Sequence, residues 1–155
     1  MKTLILYATK YGASGDIAQS IAKKMDGAEV FDLKSGDIPT LSDFDCVIIG
    51  SSIYAGSIRK EAKEFLAKHK NDLSGKVLGL FISGMSESET DNAFKANYPA
   101  EILDNAKARV MPGGAFDPKK AGFFAKLIMK AVTKQSGYVN TISDEKIDKF
   151  VGELQ

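Results

Sequence analysis

The chain has 155 residues, of which 44% are hydrophobic and 26% are charged, and its net charge is +1. This composition is typical of one soluble globular domain with a substantial core, and the near-neutral charge argues against nucleic acid as a partner. Cys46 is the only cysteine, which excludes a disulfide framework and a cysteine-based metal site. There is no run of about 18 apolar residues and no signal-peptide pattern, so we expect a cytoplasmic protein without a transmembrane segment.

The first elements predicted are a buried strand, a short loop and a helix. Residues 2–8 contain consecutive aliphatic side chains, which is typical of a strand buried on both faces, and apolar residues recur at helical spacing from Ile17 to Met25. The loop between them reads Thr9-Lys10-Tyr11-Gly12-Ala13-Ser14-Gly15. It lacks the glycine patterns of nucleoside triphosphatases and of dinucleotide-binding folds. Unpaired amides at the helix N-terminus, hydroxyl groups and glycine backbone favour an anion site. The alternative is an ordinary turn with solvated hydroxyl groups.

The rest of the chain alternates between predicted strands and helices. Further strands are predicted at residues 28–33, 45–50, 77–83 and 107–115, helices at 58–69, 88–107 and 143–154, and loops at 34–42, 51–57 and 84–90. Pro99 is expected to divide the helix at 88–107 into two pieces, because proline cannot occupy an uninterrupted helix interior. Pro112 lacks an amide donor, so the last strand is expected to lie at a sheet edge or to break at this residue. Ser143 is expected to cap the last helix.

This alternation predicts an α/β fold with a doubly wound, five-stranded parallel sheet and helices on both faces, in one domain covering residues 1–155. In such sheets, ligands bind beyond the carboxyl ends of the strands, where the strand order reverses. The loops at residues 9–15, 50–57 and 83–90 are therefore expected to converge on one site.

Two of these loops resemble those of the flavodoxin family. The first is Thr9-Lys10-Tyr11-Gly12-Ala13-Ser14, and the second is Gly50-Ser51-Ser52-Ile53-Tyr54-Ala55-Gly56. More narrowly, the stretches MKTLIL, IIGSSIYAG, and GGAF followed by FFAKLIMK are similar to the flavodoxin-like menaquinone-dependent protoporphyrinogen oxidases. As in that branch, residues 116–142 match an insertion before the last helix.

The resemblance implies an FMN cofactor and a flavodoxin-like redox function. The FMN phosphate would lie on residues 9–14, and the flavin ring between the loops at 50–57 and 83–88, with Tyr54 as its aromatic neighbour. Tyr54 has the alternative interpretation of a half-exposed loop tyrosine. The Ala55–Gly56 peptide would change orientation with the redox state, as in flavodoxins. The candidate cofactor-binding residues are Thr9, Lys10, Tyr11, Gly12, Ala13, Ser14, Ser51, Ser52, Ile53, Tyr54, Ala55, Gly56, Ser83, Gly84, Met85 and Ser86.

Three features differ from the usual flavodoxin pattern. The third loop, Ser83-Gly84-Met85-Ser86, contains no aromatic residue, so one face of the flavin ring would rest on Met85 or be open to a partner or substrate. The chain is close to neutral, whereas flavodoxins are commonly acidic. Lys10 would add positive charge beside the phosphate.

The insertion separates the hypotheses about function. Residues 119–134 combine several lysines with an apolar stripe, which indicates a basic amphipathic helix. Such a helix could contact an anionic membrane surface, line a hydrophobic substrate site, or simply cover the core. An electron carrier would use a redox partner protein, whereas a protoporphyrinogen oxidase would pass electrons to a quinone. A third hypothesis is a non-flavin binding module on the same fold.

Overall fold

Five parallel strands form the central sheet of the computed structural model, which describes residues 1–116 and 139–155. In chain order they are β1 (Thr3–Ala8), β2 (Glu29–Asp32), β3 (Cys46–Tyr54), β5 (Val77–Ser83) and β6 (Ala106–Gly113), and the short strand β4 (Ser57–Ile58) pairs antiparallel with β3. The sheet order is β2-β1-β3-β5-β6, so the order reverses between β1 and β3. This confirms the prediction of a flavodoxin-like doubly wound parallel sheet, with β6 at an edge.

The helices lie where the hydrophobic periodicity predicts them. They are α1 (Ala13–Ala22), α2 (Lys60–His69), α3 (Thr90–Asn97), α4 (Ala100–Asn105) and α5 (Asp144–Leu154). Pro99 separates α3 from α4 at the N-cap of α4, as predicted. Ser143 caps α5, since its Oγ accepts a hydrogen bond from the Lys146 amide at 3.3 Å.

The core consists of two hydrophobic layers, one on each face of the sheet. Successive strand residues point to opposite faces, so Leu4 and Leu6 pack in the layer under α2, α3 and α4, whereas Ile5 packs in the layer under α1 and α5. This arrangement confirms the prediction of helices on both faces. Gly50 in β3 makes room for the Phe81 ring of β5, because a Cβ at position 50 would lie only 1.9 Å from Phe81 Cζ.

Strand β3 continues four residues beyond its predicted end, so the prediction of a loop over residues 51–57 was wrong in part. Ser51 pairs with β1 and β5, and Ser52 pairs with β5. Ile53 and Tyr54 then pair with β4 in a hairpin. Small polar residues have low strand propensity on their own, but neighbouring strands on both sides supply the ladder partners that hold them extended. For the same reason Ile58 lies in β4 rather than in α2, which begins at Lys60.

The predicted insertion is described only at its ends. Strands β7 (Ala115–Phe116) and β8 (Val139–Asn140) pair antiparallel and form a second, two-stranded sheet. The proposed basic amphipathic helix at residues 119–134 lies outside the described residues. The two segments at the start and the end of the insertion are therefore held together next to the edge strand β6.

Candidate functional site

A cavity of about 490 Å³ lies at the carboxyl ends of β1, β3 and β5. It falls in the size range of small-molecule sites. Of the predicted residues, those lining it are Thr9, Lys10, Tyr11, Ala13, Ser52, Ile53, Tyr54, Ala55, Gly56, Ser83, Gly84, Met85 and Ser86. Glu89, which lies in the predicted loop at 83–90, also lines the cavity. The lining further includes residues that the sequence did not indicate, namely Asn92, Ala93, Ala96, Met111, Gly114 and Ala115. The three predicted loops therefore converge, while the predicted residues Gly12, Ser14 and Ser51 are not among those that line the cavity.

The first loop ends in a helix N-terminus that no side chain caps. Gly12, with a φ of 104°, occupies the N-cap position of α1, and its amide donates to Thr9 Oγ1 at 2.9 Å. The first helical hydrogen bond of α1 runs from the Asp16 amide to the Gly12 carbonyl, so the amides of residues 13–15 precede it. Ser14 is fully buried, and its Oγ has no hydrogen-bond partner among the described residues. Unpaired amides beside an unpaired hydroxyl suit an anionic oxygen group.

Gly15 serves packing rather than access to the cavity. It lies inside α1, and a Cβ at this position would be 3.2 Å from Cε2 of Tyr7. Burial, followed by the charges of Asp32 and Asp16, raises the pKa of Tyr7 above its ordinary value. Tyr7 is therefore a neutral phenol that supports the first turn of α1 from the sheet.

Two serines at the end of β3 have different roles. Ser51 is fully buried, and its Oγ accepts from the Arg59 amide at 2.9 Å and donates to the Ser52 carbonyl at 3.0 Å. Ser52 lines the cavity, and its Oγ accepts from the Lys10 amide at 3.2 Å. Ser51 thus fixes the start of α2 to the strand, whereas Ser52 joins the first loop to the hairpin.

The hairpin between β3 and β4 places a strained turn at the cavity. Tyr54 and Ser57 form its closing pair, and the two residues between them have positive φ angles, 50° for Ala55 and 79° for Gly56. This is the backbone pattern of a type I′ turn, and alanine adopts it less readily than glycine. The Lys10 ammonium lies 3.4 Å from the centre of the Tyr54 ring, in a cation–π contact. One face of the predicted aromatic neighbour is therefore covered by a cation.

The third loop and the edge of the sheet form an apolar wall. The Gly84 amide donates to the Gly113 carbonyl at 3.1 Å, which holds the loop against β6. A Cβ at Gly114 would lie 3.2 Å from Cγ of Met85, so backbone and methionine are in close contact there. Met111 lines the same side of the cavity. The structure therefore provides methionine side chains where an aromatic residue is absent.

Sequence patterns did not reveal the contribution of α3. Its residues Asn92, Ala93 and Ala96 face the cavity together with Glu89, which precedes the helix. They are ordinary helix residues, and only the packing of α3 across the hairpin brings them to the site. The only signal in the sequence was the spacing of the two alanines by three positions, which puts two small side chains on one face of the helix.

The described residues show no metal site and no helix suited to a membrane. Within 1–116 and 139–155, no group of three or more His, Cys, Asp or Glu side chains could hold a metal ion. In the same ranges no helix is long and apolar enough to span a bilayer. Cys46 is buried, and burial raises the pKa of its thiol, while His69 pairs with Asp72 at 2.8 Å at the end of α2. Both residues serve the fold rather than the cavity.

Known proteins similar to this chain include a protoporphyrinogen IX dehydrogenase and flavodoxins. A quinone-type protoporphyrinogen IX dehydrogenase of Escherichia coli (strain K12) is 26% identical over 149 residues, which cover 88% of this chain and 81% of the relative. A flavodoxin of Helicobacter pylori is 24% identical over 159 residues, which cover 97% of this chain and 94% of the relative. Among solved structures, Fusobacterium nucleatum flavodoxin bound to flavin mononucleotide is similar with a TM-score of 0.59 and 17% identity, over 99% of this chain and 96% of that one.

A family model identifies the family of this chain. The model described as a flavodoxin domain matches residues 4–142, which is most of the chain. The match includes all three loops around the cavity and extends to the start of the last helix. The chain therefore belongs to the flavodoxin domain family, and the prediction of an FMN-binding, flavodoxin-like redox protein is confirmed.

Proposed function

We propose that this chain is an electron-transfer protein that binds FMN in the cavity between the first loop, the β3–β4 hairpin and the third loop. The observation that carries the proposal is the uncapped N-terminus of α1 beside the buried, unpaired hydroxyl of Ser14. FMN supplies the redox chemistry when bound, and the protein positions and tunes it. A phosphate offers these donors several charged oxygen atoms, and hydrogen bonds to charged oxygens are stronger than those to the oxygens of a neutral ligand.

The first loop is proposed to hold the phosphate end. Thr9 and Ser14 contribute hydroxyl groups, and the amides of residues 13–15 contribute further donors. The positive end of the α1 dipole favours the negative charge. Lys10, in the same loop, neutralises part of the negative charge of the phosphate. Its ammonium group also contacts the Tyr54 ring, which lines the same cavity.

The hairpin and the apolar wall are proposed to hold the ring end. Tyr54, Ala55 and Gly56 of the hairpin line the cavity, and so do Met85 and Met111. Aromatic and thioether side chains both pack well on a flat conjugated ring. In the proposed arrangement, the backbone of the turn rather than a titratable side chain would lie next to the reacting edge of the ring.

Titration of the cofactor-free protein with FMN tests the proposal. We expect one FMN per chain and retention of the flavin absorption bands after desalting. Riboflavin, which lacks the phosphate, is the matched ligand and should bind more weakly. A protein that retains neither ligand would refute the site and leave a non-flavin binding module as the remaining hypothesis.

Quinone-dependent oxidation of protoporphyrinogen is the second candidate function. It is favoured by the similarity to the Escherichia coli dehydrogenase and by the cavity's extension along α3, beyond the predicted flavin contacts. Each pair of electrons and protons removed from the porphyrinogen would reduce one quinone to a quinol. Anaerobic turnover that depends on added menaquinone would support this function. Stepwise one-electron reduction of the bound flavin, without such turnover, would support the carrier.

Membrane contact is a separate proposal that concerns residues 119–134. Their lysines and apolar residues fit the surface of an anionic bilayer. Co-sedimentation with vesicles containing anionic lipid, compared with neutral vesicles, tests it. Equal recovery with both kinds of vesicle would refute it.

A further inference from the structure

The side chain of Asn97 connects the last turn of α3 to the hairpin that lines the cavity. Its Nδ2 donates to the Gly56 carbonyl at 3.0 Å and to the Ala93 carbonyl at 2.9 Å. Its Oδ1 accepts from the Ile58 amide at 2.9 Å. We propose that Asn97 is a positioning residue that locks the Ala55–Gly56 turn against α3 and thereby sets the reduction potential of the bound cofactor.

The carboxamide of Asn97 takes the place of a neighbouring strand. It bonds to the carbonyl of Gly56 and the amide of Ile58, which flank Ser57 in the sequence. One residue in a parallel ladder makes the same pair of bonds to the two residues that flank its partner. A carboxamide carries both a donor and an acceptor in one plane, so asparagine fits this edge and a carboxylate does not. The Gly56 carbonyl needs a donor and the Ile58 amide needs an acceptor, so the Asn97 Nδ2 faces Gly56 and its Oδ1 faces Ile58.

The hairpin is short, and apart from Asn97 its strand β4 is held by the burial of Ile58 in the core and by a hydrogen bond from Lys63 Nζ to Ser57 Oγ at 2.5 Å. Strand β4 has two residues, and its ladder with β3 consists of the pairs Ile53–Ile58 and Tyr54–Ser57. Two-stranded hairpins of this length are marginal in isolation. The turn also contains Ala55 in the left-handed region, which is unfavourable for a residue with a Cβ. Bonds from α3 to both ends of β4 therefore decide whether the turn keeps one conformation.

The same helix and the same turn both line the cavity. Ala93 and Ala96 of α3 are among its lining residues, as are Ala55 and Gly56 of the turn. Asn97 thus fixes the turn relative to α3 and directs the Gly56 carbonyl toward that helix. Reduction of a flavin ring adds an N–H donor at its edge. A Gly56 carbonyl released from Asn97 is free to accept from such a donor, which favours the reduced form over the oxidised one.

Asn97→Ala and Asn97→Asp test this role, with Asn105→Ala as the control. Asn105 is exposed at the end of α4, so Asn105→Ala also removes one asparagine from the end of a helix. In the cofactor-free protein, we expect exchange of the Ile58 amide proton to become about tenfold faster in Asn97→Ala, as for the loss of one partly buried hydrogen bond. The control should leave this rate unchanged. This measurement needs no cofactor.

The effect on the cofactor rests on the proposed function and is measured separately. For Asn97→Ala we expect about tenfold weaker binding of oxidised FMN and a smaller loss for reduced FMN. The midpoint potential should then rise, by up to about 30 mV for a tenfold difference in a two-electron couple. Asn97→Asp should behave similarly at neutral pH. It should approach wild type as the pH falls into the carboxyl range, because the protonated acid regains a donor for Gly56.

Each result has a defined meaning. Unchanged exchange of the Ile58 amide in Asn97→Ala would overturn the lock; Asn97→Asp keeps an oxygen that accepts from this amide and loses only the donor to Gly56. Faster exchange with a potential equal to that of the Asn105→Ala control would show a purely structural residue and would also overturn the proposal. If the wild-type protein fails to bind FMN, the proposed function and the effect on potential fall together, while the exchange data still decide the lock. Should Asn97→Ala not fold, the pH dependence of Asn97→Asp decides.

Discussion

Replacement of Ser14 by alanine is expected to stabilise the cofactor-free protein and to weaken FMN binding. Ser14 is fully buried in the first turn of α1, and its hydroxyl has no hydrogen-bond partner among the described residues. Burial of an unpaired hydroxyl costs about 1–3 kcal/mol. Alanine removes this cost and is also the better helix former. We therefore expect the free energy of unfolding without cofactor to rise by about 1–3 kcal/mol.

The opposite sign is expected once the phosphate is bound. A hydroxyl that donates to a charged oxygen is worth about 1.5–3 kcal/mol. Its removal corresponds to FMN binding that is roughly 10- to 150-fold weaker. Riboflavin has no phosphate, so its affinity should not change.

Urea unfolding of the cofactor-free protein and fluorescence titrations with FMN and riboflavin measure both effects. Ser20→Ala, in the same helix, reports the gain in helix propensity alone. Ser51→Ala is the control for burial, because Ser51 is equally buried but has hydrogen bonds to Arg59 and Ser52. Loss of the Ser51 hydroxyl should destabilise the protein by about 1 kcal/mol. An equal loss of affinity for both ligands in Ser14→Ala, or a destabilised cofactor-free variant, would refute the reasoning.

Four further substitutions test the packing, each by urea unfolding. Gly50→Ala should destabilise the protein by about 1–3 kcal/mol or more, because its Cβ would lie within 2.2 Å of the Phe81 ring; full stability would contradict this contact. Tyr98→Phe should stabilise it by about 1–3 kcal/mol, since the Tyr98 hydroxyl is buried without a partner in the described residues; a loss of stability would imply a partner. Gly113→Ala should destabilise the protein and weaken FMN binding, because Gly113 has a φ of 119° and a Cβ there would lie 2.2 Å from the Thr141 carbonyl oxygen. Gly152 is exposed on α5 with open space around it, so Gly152→Ala should instead stabilise the protein by about 1 kcal/mol.

Short-range patterns in the sequence were sufficient for the architecture. Consecutive aliphatic residues marked the buried strands, and periodic apolar residues marked the helices, because burial on two faces or on one stripe imposes these patterns directly. Three single residues had local effects that the sequence also predicts. They are the two prolines without an amide donor, Pro99 and Pro112, and Ser143, whose hydroxyl caps the last helix. The convergence of the three loops followed from topology, since parallel strands end at one edge of the sheet.

The tertiary structure decided how individual residues serve the site. Ser14 and Ser51 are both small hydroxyl residues in predicted loops, but one is left unpaired beside a helix N-terminus and the other is bonded to Arg59. The hairpin after β3 formed because neighbouring strands and Asn97 supply hydrogen bonds that its own sequence lacks. Asn97 and the cavity face of α3 lie about forty residues from the turn they contact. A local pattern carries no information about such partners, because it is chain packing that brings them together.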